Sequence, residues 1–305
     1  MDKKEYRSGF VGLIGQPNAG KSSLMNLLVQ EKVSIVTAKP QTTRRRVLGI
    51  VSRDEGQIVF VDAPGVLNAS EGLNRFLSQE AADVIEQSDV LMAVLSVDMK
   101  SKEMAEKIIQ LVDESKKPWF AVITKTDLKD LERRVDVIKE LCAKHKSCFG
   151  VVAVSTKETN GQKALREEIL KLAGLHLPIT PEPLYDVDLF TPHSMKEVVT
   201  EIIRERCFEI LHHELPYQIA VRVQKYDESD ETLPKIYAEI LVAKASHKPI
   251  LVGKGGATIK QIGIESRKSI EEVVGNQVFL SLEVSVRDNW TENKKLMKEL
   301  GYVVE

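Results

Sequence analysis

Gly15-Gln16-Pro17-Asn18-Ala19-Gly20-Lys21-Ser22 is the stretch that decides the fold of this chain. It fills the phosphate-loop template: a glycine, four free positions, then Gly-Lys-Ser. Taking glycine at about 7% and ordinary lysine and serine/threonine usage, a chance match arises in about one such chain in a hundred. The apolar run Phe10–Ile14 precedes the loop, and Leu24, Leu27 and Leu28 follow it at helical spacing. A loop that wraps phosphates turns backbone N–H groups inward, which needs glycine at crowded positions. The helix behind it adds its positive dipole end. This chemistry assigns Lys21 to the β- and γ-phosphates and the Ser22 hydroxyl to Mg²⁺, with Ser23 next in the first turn. The bland alternative is an ordinary glycine-rich strand–helix turn.

Further on, Asp62-Ala63-Pro64-Gly65 closes the apolar run Ile58–Val61. A P-loop enzyme places its second metal-side carboxylate and its γ-phosphate-sensing loop at such a strand end. On its own, Asp before Pro-Gly is just a turn. Thr124-Lys125-Thr126-Asp127 follows the run Trp119–Ile123. A carboxylate such as Asp127 can accept hydrogen bonds from guanine N1–H and the exocyclic amine, a pair of donors that adenine lacks. The aliphatic stem of Lys125 can lie over the base plane. Ser155-Thr156-Lys157, after Phe149–Val154, can present a backbone N–H to guanine O6. Each string alone is common on surfaces. Their order at successive strand ends points to GTP and GDP as ligands.

The same apolar runs, with Val90–Val97, alternate with helical stretches such as Met104–Val112, where Met104, Ile108, Leu111 and Val112 share a face. Near-continuous Val/Ile/Leu strands between helices predict a doubly wound, mainly parallel α/β sheet covered on both faces. This domain is expected over residues 1–177. Residues 178–194 follow as a semi-rigid linker, with Pro178, Pro181, Pro183 and Pro192. An α+β domain is expected over 195–305, in the core order α-β-β-α-α-β plus a last helix. Its helix Met195–His212 is followed by strands Gln218–Lys225, Lys235–Lys244 and Gln277–Val286.

Between the two central helices of that order lies Gly253-Lys254-Gly255-Gly256. The arrangement resembles a type II KH domain, whose G-x-x-G loop clamps about four nucleotides of single-stranded RNA by their backbone. From Lys244 to Lys268 there are six basic residues (Lys244, Lys248, Lys254, Lys260, Arg267 and Lys268) against the single acid Glu265. Ile259 and Ile262 are expected to floor a groove for the bases. The bland alternative is a helix–helix turn with a solvated basic face.

Over its 305 residues the chain carries 43 Lys and Arg against 45 Asp and Glu, a net charge of −2, so evidence for nucleic acid has to be local. Its 43% hydrophobic content suffices for two cores. Cys142, Cys148 and Cys207 show no metal or disulfide spacing and read as reduced intracellular thiols. Residues 1–9 lack the apolar core of a signal peptide, and no apolar run approaches the ~20 residues of a spanning helix. A soluble, cytoplasmic protein is expected.

The phosphate loop, Gln41-Thr42-Thr43-Arg44, D-x-P-G, K-x-D and S-x-K, in that order, resemble the Era-like GTPases of bacteria, P-loop GTPases with a C-terminal type II KH domain. The resemblance covers essentially the whole chain. It implies a GTPase in which Thr43, or alternatively Thr42, completes Mg²⁺ coordination, with Lys21 and Gly65 at the catalytic centre. It implies a site built from Gly15 to Ser23, Asp62 to Val66, Thr124, Lys125, Asp127 and Ser155 to Lys157. By the same resemblance, Lys248, Gly253, Lys254, Gly255, Gly256 and Lys260 contact RNA. The implied partners are the 3′ end of 16S rRNA and the 30S subunit, whose assembly such proteins assist. Peripheral association with the inner membrane and a monomeric state are also implied.

The chain departs from the family pattern. Thr124 stands where Asn is usual, Ala63 where Thr is usual, and Thr156 where Ala is usual. Val66 follows Gly65 where Ras-like enzymes carry the water-orienting Gln, which implies slow hydrolysis. In relatives sharing G-x-P-N-x-G-K-S, the Asn equivalent to Asn18 helps hold a potassium ion. Two rival readings are a metabolic P-loop ATPase or nucleotide kinase with a structural tail, and a membrane-associated signalling GTPase with a protein-binding tail. Asp127 and the Ser155 segment argue against the first.

Overall fold

The structure, a computed structural model, describes residues 5–37, 39, 43–65, 72–230, 232–300 and 302. The chain falls into two compact units. One holds Met1–Ser34, Thr43–Asn68 and Leu77–Pro192; the other holds Ile35–Thr42, Ala69–Phe76 and His193–Glu305.

The first fold follows the order β1 (Arg7–Gly15), α1 (Lys21–Val29), β2 (Val47–Arg53), β3 (Gly56–Asp62), α2 (Gly72–Gln87) and β4 (Val90–Ser96). It continues with α3 (Lys102–Glu114), β5 (Trp119–Thr124), α4 (Glu132–Cys142), β6 (Cys148–Ala153) and α5 (Gln162–Leu175). The six strands lie in the order β2-β3-β1-β4-β5-β6, and every pair is parallel except β2 with β3. The period of two in a strand splits each apolar run between the two faces. In β4, Val90, Met92 and Val94 pack with Leu24 and Leu28 of α1 and Ile169 of α5. Leu91, Ala93 and Leu95 pack with Ile108 and Val112 of α3 and Leu141 of α4. Burying each such Val, Leu or Ile contributes about 1.5–3 kcal/mol, and both faces are needed to bury the whole run.

The doubly wound, mainly parallel sheet is as expected. The antiparallel strand β2 was not legible: it follows the Arg44–Arg46 run, and its apolar side chains do not alternate.

The Pro-rich segment is held along its length by the same unit. Ser8 donates its backbone N–H to the Pro178 carbonyl (3.1 Å), and Thr180 donates to the Tyr6 carbonyl (2.9 Å). The Gln57 side chain clamps the backbone of Tyr185, donating to its carbonyl and accepting from its N–H, each at 2.9 Å. Ile50 of β2 then donates to the Phe190 carbonyl (2.9 Å).

The second fold comprises α6 (Met195–Ile210), β7 (Ile219–Asp227), β8 (Lys235–Val242), α7 (His247–Val252), α8 (Ala257–Val274), β9 (Phe279–Val286) and α9 (Lys294–Glu299). Ser194 and Glu197 form a capping box at the start of α6, each side chain taking the other's backbone N–H. The sheet order is β7-β8-β9, antiparallel then parallel. Ile202, Ile203 and Cys207 of α6 and Ile262 and Ile270 of α8 bury its inner face. The α-β-β-α-α-β order and the extra helix are as read from sequence; the proposed cap at Gly301 lies outside the described residues. Among the described residues no helix is long and apolar enough to cross a membrane, and the three cysteines are free.

Candidate nucleotide site and nucleic-acid groove

In the first unit the motif loops gather at the carboxyl ends of the parallel strands, where open α/β sheets bind ligands. The phosphate loop runs from the end of β1 into α1, placing Lys21, Ser22 and Ser23 in the helix's first turn. Lys21 is buried, and its Nζ donates to the carbonyls of Gly15 (3.1 Å) and Gln16 (3.0 Å). Burial pushes the Lys21 ammonium below its usual range, with Asp62 opposing the fall. Asn18 lies exposed in the loop with φ 63°, a left-handed conformation that Asn tolerates. The loop that starts at Asp62 packs directly on it: a Cβ at Gly65 would sit 2.5 Å from Pro17 N, so only glycine allows this approach. Ala63 and Pro64 are buried between them in sequence.

Asp62, fully buried, is the hub of an oxygen-rich cluster. Its Oδ2 accepts from Ser22 Oγ (2.6 Å), Ser34 Oγ (3.0 Å) and Thr43 Oγ1 (3.5 Å), and the Ser22 and Thr43 hydroxyls lie 3.1 Å apart. Its Oδ1 is buried and, among the described residues, has no hydrogen-bond partner. Burial pushes the carboxyl up, against the pull of Lys21 and the three hydroxyls. One carboxylate, flanking hydroxyls and an orphaned buried oxygen suit a hard cation such as Mg²⁺, which takes few protein ligands and keeps water and phosphate. Thr43 is thus beside the other two predicted metal residues. Its alternative Thr42, and Val66, lie outside the described residues.

Two further loops hold the residues predicted to read the base. Thr124 Oγ1, buried at the end of β5, donates to the Ala19 carbonyl at 2.6 Å. Lys125 has φ 61° and its Nζ donates to Asp98 Oδ2 at 2.8 Å. Burial raises the Asp98 carboxyl, but hydrogen bonds from Lys125 and Ser96 and the Lys125 charge hold it below its usual range. Ser155 Oγ donates to Asp127 Oδ1 (2.8 Å) while accepting from the N–H groups of Lys157 (3.1 Å) and Glu158 (3.2 Å). Asp127 is thereby aimed from the neighbouring strand end, with Thr156 and Lys157 on the turn beside it.

Ser34, Asn26 and Asp98 join these networks and were not singled out from sequence. The one cue for Ser34 was a polar residue inside the apolar string Val33-Ser34-Ile35-Val36. Asn26 and Asp98 carried none.

In the second unit, Gly253 to Gly256 form the corner between α7 and α8. Gly253 has φ 75°, and a Cβ there would lie 2.8 Å from the Thr258 backbone nitrogen, so the corner demands glycine. Lys248, Lys254 and Lys260 are exposed and, among the described residues, form no ion pair. Arg267 and Lys268 are partly offset by Glu271 (3.8 Å) and Glu265 (3.4 Å). Beyond the corner, α8 and β9 enclose a groove of about 320 Å³, with Ile259, Ile264, Leu280 and Leu282 as apolar walls and Lys260 and Arg267 at its rim. Ile262, expected on the groove floor, is instead fully buried in the core. Three residues past Ile259 the helix has turned it toward the sheet, and Gly263 and Ile264 face the groove in its place.

A family profile for 50S ribosome-binding GTPases matches residues 10–125, and one for KH domains matches residues 214–291. The chain is 36% identical to the GTPase Era of Geotalea uraniireducens over 302 residues, covering 99% of this chain and 100% of the relative. It is also 36% identical to the GTPase Era of Nitratidesulfovibrio vulgaris, covering 99% and 98%. Among solved structures it is similar to an Aquifex aeolicus Era variant bound to GDP and AlF4⁻ (TM-score 0.88, 30% identity, 98% and 100% covered). It is equally similar to an Era in complex with MgGDPNP and nucleotides 1506–1542 of 16S ribosomal RNA (TM-score 0.88, 31% identity, 98% and 100% covered). A GTPase profile and a KH profile matched in one chain, with full-length relatives at this identity, establish that the protein belongs to the Era family of GTPases.

Proposed function

We propose that this GTPase is a nucleotide-switched RNA-binding protein that holds the single-stranded 3′ end of 16S rRNA and assists small-subunit assembly in the cytoplasm, as a monomer. Its working parts are a nucleotide domain over 1–177, a connector over 178–194 and an RNA domain over 195–305. What carries the RNA reading is the glycine corner with three lysines that form no ion pair among the described residues, beside an apolar groove. The 16S complex of a relative 31% identical over 98% of the chain supports the choice of RNA.

In this proposal the backbone of Gly15 to Gly20 cradles the phosphates, and Lys21 moves its ammonium from loop carbonyls to phosphate oxygens. Ser22, Thr43 and Asp62 would hold Mg²⁺, whose charge would offset that building up on the transferring phosphoryl group. Gly65 lets the sensing loop lie on Pro17. Asp127 reads the guanine edge, with Ser155 fixing its carboxylate and Lys125 covering the ring. With Val66 after Gly65 no side-chain amide orients the attacking water, so turnover is slow. Asn18 helps hold a potassium ion beside the phosphates. In the second unit, Gly253, Gly255 and Gly256 admit the RNA backbone to the chain, and Lys248, Lys254 and Lys260 neutralise its phosphates.

The test is filter binding of a 16S 3′-end RNA with GTP or GDP present, across a salt series. RNA binding with a steep salt slope supports the proposal. No RNA binding in either nucleotide state favours a protein-binding tail instead.

A further inference from the structure

Ser34 lies outside every motif used so far, yet it touches the centre of the metal cluster. Its hydroxyl donates to Asp62 Oδ2 at 3.0 Å, and the residue is 2% exposed. Ser34 is itself clamped. Asn26 of α1 accepts from the N–H groups of Val33 (3.1 Å) and Ser34 (2.9 Å) through Oδ1 and donates to the Ser34 carbonyl (2.8 Å) through Nδ2. Three hydrogen bonds from one helix side chain therefore hold the backbone that presents this hydroxyl.

The position matters because of where the chain goes next. Eight residues after Ser34's neighbour Ile35 the chain returns to the same oxygen, with Thr43 Oγ1 3.5 Å from Asp62 Oδ2. Both ends of the segment that leads to the switch threonine are thus hung on one carboxylate oxygen. With Ser22 at 2.6 Å, that oxygen has three hydroxyl partners among the described residues, while Oδ1 is buried and has none among them. An acceptor loaded on one side and orphaned on the other is fixed in rotation. Its vacant lone pairs have one direction to point.

We propose that Ser34 is a positioning residue for the metal carboxylate: held by Asn26, it locks Asp62 through Oδ2 so that Oδ1 serves the hydrated Mg²⁺. Ser34 does not itself touch metal or nucleotide. This rests on the magnesium reading of the Asp62 cluster. Loss of a hydrogen bond to a charged group is expected to weaken magnesium about tenfold.

The experiment follows the release of a fluorescent GDP analogue from the full chain as free Mg²⁺ is titrated, with release in EDTA as the metal-free limit. For Ser34→Ala the Mg²⁺ concentration that half-suppresses release is expected to rise about tenfold, while release in EDTA matches the parent protein. Ser34→Thr, which keeps the hydroxyl, is expected to stay within about threefold of the parent. An unchanged half-point in Ser34→Ala overturns the proposal. So does a matching acceleration in EDTA, which marks loss of packing rather than of metal positioning, and so does a Ser34→Thr that behaves like Ser34→Ala. If the parent protein itself releases nucleotide independently of Mg²⁺, the magnesium reading fails first, and the proposal falls with it.

Discussion

The Thr124 hydroxyl donates to the Ala19 carbonyl at 2.6 Å, in a position with almost no solvent exposure. The strand that ends in Thr124-Lys125-Thr126-Asp127 is thereby tied to the phosphate loop, so the proposed base-reading and phosphate motifs share one framework. Family members usually place Asn at this position. A hydroxyl has one proton to donate and spends it here on the loop.

Removing that tether leaves a buried carbonyl unsatisfied, at a cost of about 1–3 kcal/mol. Thr124→Ala is expected to weaken GDP binding by about tenfold, and Thr124→Ser to leave it nearly intact. Equilibrium titration with a fluorescent GDP analogue checks both.

Asp127→Asn should exchange the base preference. An amide can donate to the 2-oxo group of xanthine but meets the guanine amine with another donor. Sites built on such hydrogen bonds discriminate by about 10⁴ or more. Competition of GTP and XTP for the variant measures the ratio; retained GTP preference would remove Asp127 from base recognition.

Turnover is expected to be faster in potassium than in sodium buffer, and Asn18→Ala to erase the difference. Phosphate release in the two salts is the measurement. Equal parent rates would sink the potassium role of Asn18 and leave the rest of the site standing.

Gly255→Asp should abolish binding of a 16S 3′-end RNA without disturbing GTP binding. No heavy atom lies within 4 Å of a Cβ there, and φ is 60°, which Asp tolerates better than most residues. The domain therefore keeps its fold, and the carboxylate meets the phosphate directly. Lys21→Ala should do the reverse. Undiminished RNA affinity in Gly255→Asp would reduce the basic segment to a solvated face.

The thiols should separate by reactivity. Burial pushes the Cys207 thiol up to about 12. The Cys142 thiol, donating to Cys148, is raised, and Cys148 is correspondingly lowered and half-buried. Since the thiolate is the nucleophile, Cys148 alone should be alkylated in the native protein, with an onset below that of a free cysteine near pH 8.5. Peptide mapping after a pH series of alkylations reads this directly.

Legibility from sequence followed the locality of the interactions. The phosphate loop and the glycine corner are short strings that can be read within a few residues, whereas the Ser155 bond that orients Asp127 spans 28 residues. The strands β1, β4 and β5 declared themselves because both faces are buried. Strand β2 did not, since it is an antiparallel partner with one irregular face. Ser34 and Asn26 work only through a carboxylate 28 residues further on from Ser34, a relation that no local pattern encodes. Ile262 was misplaced by one helical step: composition shows an apolar residue, and only the helix's rotation says which side it faces.

The Pro-rich segment bears on how the protein is made. The Ser8 hydroxyl meets that of Thr180 at a separation of 172 residues, and the Phe190 carbonyl occupies an N–H of β2. A ribosome adding about 5–20 residues per second therefore needs roughly 7–28 s after Ile50 before the Phe190 neighbour of β2 exists. For that interval β2 is a bare border, open to pairing with another nascent chain. Prolines at 181 and 183 suit the closing piece, because it arrives stiff and cannot itself propagate a sheet.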